Sequence, residues 1–205
     1  GSFEAQTIED LCFVVFDTET TGLLPHKDEI VQIGAVRVVK GRIVEGERID
    51  MLVDPGIPIP AASTKVHKIT DNMVSGAPGI AEAGRVFHQF AQDAVIVAHN
   101  APFDMAFLRR HAKRMGVEWD HPILDTVLLS AVLFGASETH TLDALCDRLD
   151  VEIPEALRHT ALGDAVATAE ALVRMLPMLK ARDITTFGAI ITETRKHGRL
   201  LEDLN

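Results

Sequence analysis

The sequence predicts an α/β domain built on a mixed sheet, and three observations predict it. A continuous apolar run, Leu11 to Phe16, leads straight into Asp17, the pattern of a strand covered on both faces. Two Val- and Ile-rich segments, Glu29 to Val39 and Arg42 to Val53, meet at Lys40-Gly41, a tight-turn pair that joins antiparallel strands. A further short apolar strand, Val95 to Ala98, then stands among segments of helical period. Hairpins can connect the first three strands into a meander, whereas a later strand needs helical crossovers.

The intervening elements follow in order. Pro55, Pro58 and Pro60 break regular structure, and helical character resumes over Ala81 to Phe90. The strand Val95 to Ala98 ends at His99-Asn100. Asn100 suits a helix N-cap, Pro102 is tolerated in the first turn, and Phe103, Phe107, Leu108 and Met115 recur at helical spacing up to Gly116. A helix of about four turns is expected there. Leu124 to Phe134, Thr141 to Leu149, Asp164 to Lys180 and Thr185 to Lys196 supply further helical patterns. No repeat, low-complexity tract or Gly/Pro-rich linker interrupts them, which argues for one domain.

Composition limits the function. The chain has 205 residues, 47% hydrophobic and 24% charged, enough to bury a sizeable core. The longest stretch without a charge, Thr126 to Ser137, is shorter than a membrane-spanning helix needs. Gly1-Ser2 reads as a cloning scar and no secretory leader follows it, so an intracellular, cytoplasmic protein without membrane partners is expected. Cys12 and Cys146 are far apart in apolar segments and are expected to be buried free thiols rather than zinc ligands. The formal charge of -10 disfavours a broad basic footprint on duplex nucleic acid, but bound divalent cations would invert that sign locally.

The chemistry lies in scattered acids. Asp17 and Glu19 close the first strand, and a side-chain period of two turns both to one face, about 7 Å apart along the backbone. Two adjacent carboxylates repel, and a hard cation such as Mg²⁺ resolves the conflict with the oxygen ligands it prefers. A solvated turn or, for Asp104 in the first turn of a helix, simple complementation of the dipole would explain each acid alone. Asp164 begins a late Ala-rich helix behind the candidate cap Thr160, with His159 just before it. Together they form the parts of a two-metal phosphodiester hydrolase.

Three blocks carry a resemblance. Val15-Phe16-Asp17-Thr18-Glu19-Thr20-Thr21-Gly22-Leu23, His99-Asn100-Ala101-Pro102-Phe103-Asp104 and His159-Thr160-Ala161-Leu162-Gly163-Asp164-Ala165 resemble, in order, the motifs of the DEDDh 3′-to-5′ exonucleases. That group is DnaQ-like, belongs to the ribonuclease H-like superfamily and includes the proofreading epsilon subunit of bacterial DNA polymerase III. Weaker likenesses occur at Ile57-Pro58, Val66-His67-Lys68-Ile69-Thr70, Leu124-Asp125-Thr126 and His140-Thr141-Leu142-Asp143-Ala144-Leu145, so the resemblance runs from about residue 12 to about residue 180. Lys68 departs from it, since relatives often have Gly there.

The resemblance implies a mixed five-stranded sheet opening with an antiparallel meander and flanked by helices. The organisation expected is a scar and leader over 1–10, an exonuclease domain over 11–182 and a C-terminal helix and tail over 183–205. Asp17, Glu19, Asp104 and Asp164 would hold two Mg²⁺ or Mn²⁺ ions, and His159 would act as general base. Thr18 and Thr20 would meet the terminal 3′-hydroxyl through their backbone, Leu23 and Val66 the bases, and His67, Asn100 and Phe103 would line the pocket. Phe103 also has helical spacing to Phe107 and so competes for a core position.

The substrate implied is a single-stranded DNA or RNA 3′ end, DNA somewhat favoured, with a polymerase or fused domain as a further partner. An exoribonuclease or oligoribonuclease, and a catalytically silent nucleic-acid or polymerase-binding module, remain the alternatives. Neither HExxH nor GxSxG occurs. Arg109, Arg110, Lys113 and Arg114 can touch phosphates, although cations near a helix C-terminus are favoured by the dipole alone.

Overall fold

The computed structural model describes residues 3–205, so the reading of Gly1-Ser2 lies outside the described residues. Five strands form one sheet: β1 (Cys12–Thr20), β2 (Ile30–Val39), β3 (Arg42–Leu52), β4 (Val95–Ala98) and β5 (Ile123–Asp125). Their order is β3-β2-β1-β4-β5. β1 pairs antiparallel with β2, and β2 with β3, while β1 with β4 and β4 with β5 are parallel. The meander turns at Lys40 and Gly41, both left-handed, as a two-residue hairpin loop requires.

The helices are α1 (Ala61–His67), α2 (Asp71–Val74), α3 (Ile80–Ala91), α4 (Ala101–Arg110), α5 (Ala112–Met115), α6 (Thr126–Phe134), α7 (Leu142–Arg148), α8 (Ala161–Ala181), α9 (Phe187–Arg195) and α10 (Arg199–Leu204). The sheet separates two cores. Phe13 and Val15 of β1 pack with Val36, Val38, Leu129, Leu172 and Ile190 on the side of α6, α8 and α9. Val14 and Phe16 pack with Ile33, Ala35, Phe87, Met105 and Phe107 on the side of α3 and α4. This alternation decides where the later residues of β1 point. Phe3 packs edge-on against Phe187, and Thr7 bridges to Thr186, so the segment before β1 is tied to the start of α9.

Four local expectations are corrected. The helix expected from Asn100 to Gly116 breaks at His111, where φ is -103° and ψ 8°, because its imidazole turns to meet Glu29. The segment from Leu124 is not all helix, since Leu124 and Asp125 extend the sheet as part of β5 before α6 begins. Asn100 occupies the N-cap position of α4 in a left-handed conformation, but its side chain does not cap; the carboxylate of Asp125 does. Cys12 is half-buried rather than buried, its sulfur 3.8 Å from a donor of Arg37, whereas Cys146 is buried.

Candidate active site

Residues that alternate along β1 serve opposite layers. Asp17 and Glu19 continue the Phe13–Val15 face, towards α8, and Thr18 continues the Val14–Phe16 face, towards α4. The Thr18 hydroxyl donates to Asp104 Oδ1 at 2.5 Å. Carboxylate oxygens of Asp17, Glu19 and Asp164 lie within 4.8 Å of one another. The structure therefore brings three of the predicted acids into one cluster and fastens the fourth, Asp104, to the strand between two of them.

Position across the sheet explains how α8 reaches the cluster. Gly34 pairs with Asp17 and Gln32 with Glu19. A Cβ on Gly34 would overlap the backbone of Ala161 and Leu162, so only glycine lets the first turn of α8 lie on the sheet there. Gln32 Oε1 accepts the Ala161 N–H at 2.9 Å, and Thr160 caps the same turn by accepting the Gly163 N–H at 3.0 Å. Replacing Gly34 with Ala is expected to push α8 and Asp164 outward. Turnover should fall by about a hundred-fold, the scale of an ångström-size misplacement of a reacting group. Activity together with a Mg²⁺ titration checks this; an unchanged metal affinity would contradict it.

The electrostatics show what the cluster lacks. Among the described residues, no Lys or Arg forms an ion pair with any of the four acids. Burial, followed by the charges of Asp104, Asp164 and Glu19, holds the Asp17 carboxyl well above the usual carboxylate range. Burial and then Asp164 and Asp104 push Glu19 up to about 8. Burial raises Asp104, which is 3% exposed, to about 7 against the opposing bonds from Thr18. Burial raises Asp164 to about 6, with the nearby His159 opposing it. Clustered oxygen donors without a cation are a donor set that fits hard divalent ions.

His159 is exposed, in the left-handed region with φ 62°, and its backbone hydrogen-bonds the Asp164 carboxylate. The preceding Arg158 donates to Asp143 Oδ2 at 3.1 Å. The other candidates take varied places. Leu23 is 81% exposed and Val66 55% exposed. The segments that carry them are joined, since Ser63 Oγ donates to the Thr21 carbonyl and His67 Nε2 to the Thr20 carbonyl, at 2.6 and 3.1 Å. His67 is buried, and its Nδ1 accepts the Ile69 N–H, so both ring nitrogens are engaged within the protein. Burial lowers its pKa, and it is held neutral as the Nε2–H tautomer.

Thr20 donates to the Gly22 carbonyl. The Asn100 amide oxygen accepts from Asn205 at 2.7 Å. Phe103 is half-buried, edge-on to Phe107 at 5.1 Å between ring centroids, and so meets the core with part of its ring. Lys68, the departure noted above, is the left-handed C-cap of α1, which accounts for glycine as the alternative.

Gln32, Gly34 and Asp125 were not singled out as site residues by the sequence. Asp125 is buried and accepts from Asn100 N, Ala101 N and Val127 N at 3.1, 2.6 and 2.8 Å, joining the starts of α4 and α6 and thereby placing Asp104. Its signal was present in Leu124-Asp125-Thr126.

The family model described as exonuclease (RNase_T) matches residues 14–172. The DNA polymerase III subunit epsilon-like protein of Rhodobacter capsulatus is 66% identical over 199 residues, covering 97% of this chain and 28% of that protein. A PolC-type DNA polymerase III of Caldanaerobacter subterraneus is 40% identical over 178 residues, covering 87% of this chain and 12% of its own length. The chain thus spans well under a third of either relative. A structure of exonuclease X in complex with 5′ overhanging duplex DNA superposes with a TM-score of 0.68 at 29% identity, over 89% of this chain and 99% of that one. Escherichia coli exonuclease I in complex with a dT13 oligonucleotide has a TM-score of 0.70 at 18% identity, over 84% and 42% of the two chains, which shows the shared ribonuclease H-like fold.

Proposed function

This chain belongs to the exonuclease family, and from that premise we propose that it hydrolyses phosphodiester bonds stepwise from single-stranded 3′ ends, DNA somewhat favoured, releasing nucleoside monophosphates. The observation that carries the reading is the convergence of Asp17, Glu19 and Asp164 within 4.8 Å, with Asp104 fastened beside them. Two Mg²⁺ or Mn²⁺ ions held by these four residues would neutralise charge on the scissile phosphate and acidify a water.

The protein's own groups supply the rest. His159, exposed beside Asp164, takes the proton of the attacking water on a ring nitrogen, and its loop position gives the imidazole access to that proton. Thr18 and Thr20 present backbone to the terminal 3′-hydroxyl at the end of β1. Leu23 and Val66 offer apolar contact to bases, and Asn100, Phe103 and His67 border the same end of the sheet. With no Tyr and a single Trp, the chain is poor in stacking surface, which suits sequence-tolerant reading of the last one or two nucleotides. The relatives named for DNA polymerase III support a polymerase or fused domain as partner. No helix among the described residues is long and apolar enough to cross a membrane. The DNA polymerase III names of the relatives support a cytoplasmic location.

The test is incubation with 5′-labelled single-stranded DNA, single-stranded RNA, frayed duplex and dinucleotides, with Mg²⁺, Mn²⁺ or chelator. Stepwise shortening from the 3′ end that chelator abolishes is expected. Internal cuts, or no cleavage of any substrate, would overturn the reading.

A pH prediction follows from the raised carboxyls. The folded protein keeps protons on Glu19 to about pH 8, on Asp104 to about 7 and on Asp164 to about 6, whereas the unfolded chain releases them near pH 4. Their contribution to stability is therefore full below about pH 4 and is lost as the pH rises towards 8. Divalent cations replace those protons, so the rise in melting temperature caused by Mg²⁺ should be larger at about pH 8 than at about pH 6. Differential scanning fluorimetry checks this, and a pH-independent increment would contradict it.

A further inference from the structure

The loop from Thr21 to Glu29, between β1 and β2, is closed on itself. Thr21 N–H donates to the Glu29 carbonyl at 2.8 Å, and the Asp28 carboxylate accepts the Thr21 hydroxyl and the Leu24 N–H, both at 3.0 Å. That carboxylate lies where a Cβ on Gly22 would stand, so the ring closes only around glycine. Lys27 and Asp28 N–H groups both donate to the Leu24 carbonyl. At its tip stands Leu23, the most exposed large apolar side chain among the described residues.

From the side of α4, one guanidinium grips this ring. Arg110 donates through one terminal nitrogen to the Pro25 carbonyl and through the other to the Asp28 carbonyl, at 2.8 Å, and to Glu29 Oε1. Glu29 Oε2 accepts His111 Nε2–H at 2.8 Å, and Arg114 donates to His111 Nδ1 at 3.3 Å. Two carbonyls and a carboxylate shared between two terminal nitrogens suit a guanidinium fork, whereas an ammonium is a single point donor. Arg109, the neighbouring cation, is exposed instead. Arg110 and Asp104 share α4, six positions or about 9 Å of helix apart, so the loop tip and an acid of the cluster are referenced to the same element.

We propose that Arg110 is a positioning residue for the terminal nucleotide: it acts through the 21–29 loop, holding Leu23 at the height at which it packs on the last base. It touches neither substrate nor metal. The inference rests on the 3′-exonuclease reading above.

Steady-state kinetics on single-stranded DNA with a normal or an abasic 3′-terminal nucleotide, combined with amide hydrogen exchange, test it. Arg110→Ala is expected to raise KM on the normal end about ten-fold, the scale of losing most of one leucine's burial, with kcat unchanged within about two-fold. KM on the abasic end should match the wild-type value. Arg110→Lys, keeping charge but not the fork, should behave like Arg110→Ala, and both should speed exchange at Leu24, Lys27 and Asp28 while leaving α8 protected. An equal KM increase on both ends with a shallower salt dependence would mean direct phosphate contact and would overturn the proposal. So would rescue by Lys, or a fall in kcat at constant KM. If Arg110→Ala fails to fold, Arg110→Lys and Glu29→Gln carry the same comparison. A wild-type protein inert on every 3′ end would instead overturn the nuclease reading, and an active one with no such split would overturn this inference alone.

Discussion

Asp17→Asn is expected to abolish turnover, by about 10³-fold or more, while raising the melting temperature of the metal-free protein. The two effects have one cause. Asp17 is buried beside Asp104, Asp164 and Glu19, so its charge destabilises the empty fold and is needed only when cations are bound. Asparagine keeps the shape and removes the charge. The Mg²⁺-dependent increment in melting temperature should shrink in parallel with activity. An unchanged increment in the variant would show that the cluster is not the cation site, and retained cleavage would remove Asp17 from the chemistry.

His159→Ala is expected to lower the rate by about 10²- to 10⁴-fold, the usual contribution of a general base, with the Mg²⁺-dependent stabilisation intact. Its side chain is exposed, so the loss of its contacts alone should cost no more than about 0.5 kcal/mol. The left-handed backbone at this position complicates Ala, which adopts it reluctantly. His159→Asn separates the causes, because Asn tolerates that conformation but cannot take the proton. Single-turnover cleavage should fall alike in both. Near-wild-type turnover in the Asn variant would exclude the imidazole from proton transfer.

Which parts of this molecule were legible in the sequence follows from the range of the interactions involved. Asp17, Glu19, Asp104 and Asp164 each sit beside a boundary signal, a strand end or a helix cap, and boundaries are local. The meander and the strand Val95–Ala98 were readable from period-two and apolar runs for the same reason. Gln32 and Gly34 were not, because their importance arises only when pairing register sets them opposite Glu19 and Asp17. β5 has three residues, too few to show a period, and its apolar Leu124 merged with the helix after it. The break at His111 and the inward turn of Arg110 depend on Glu29, a partner distant in sequence, so a helix-dipole cation was the local reading.

The parity of β1 has a consequence for dynamics. Asp17 and Glu19 stand on a strand whose buried neighbours belong to both cores, and Asp104 stands on a helix rooted in one of them. These three acids therefore share the cooperative unit of the whole domain, and slow exchange at their amides should track global unfolding. The segment leading into α8 has a separate status: from Glu155 to His159 every residue is exposed. Opening of this segment would free the proposed base, His159, and break its backbone bond to Asp164, while Asp17, Glu19 and Asp104 stay anchored in the two cores.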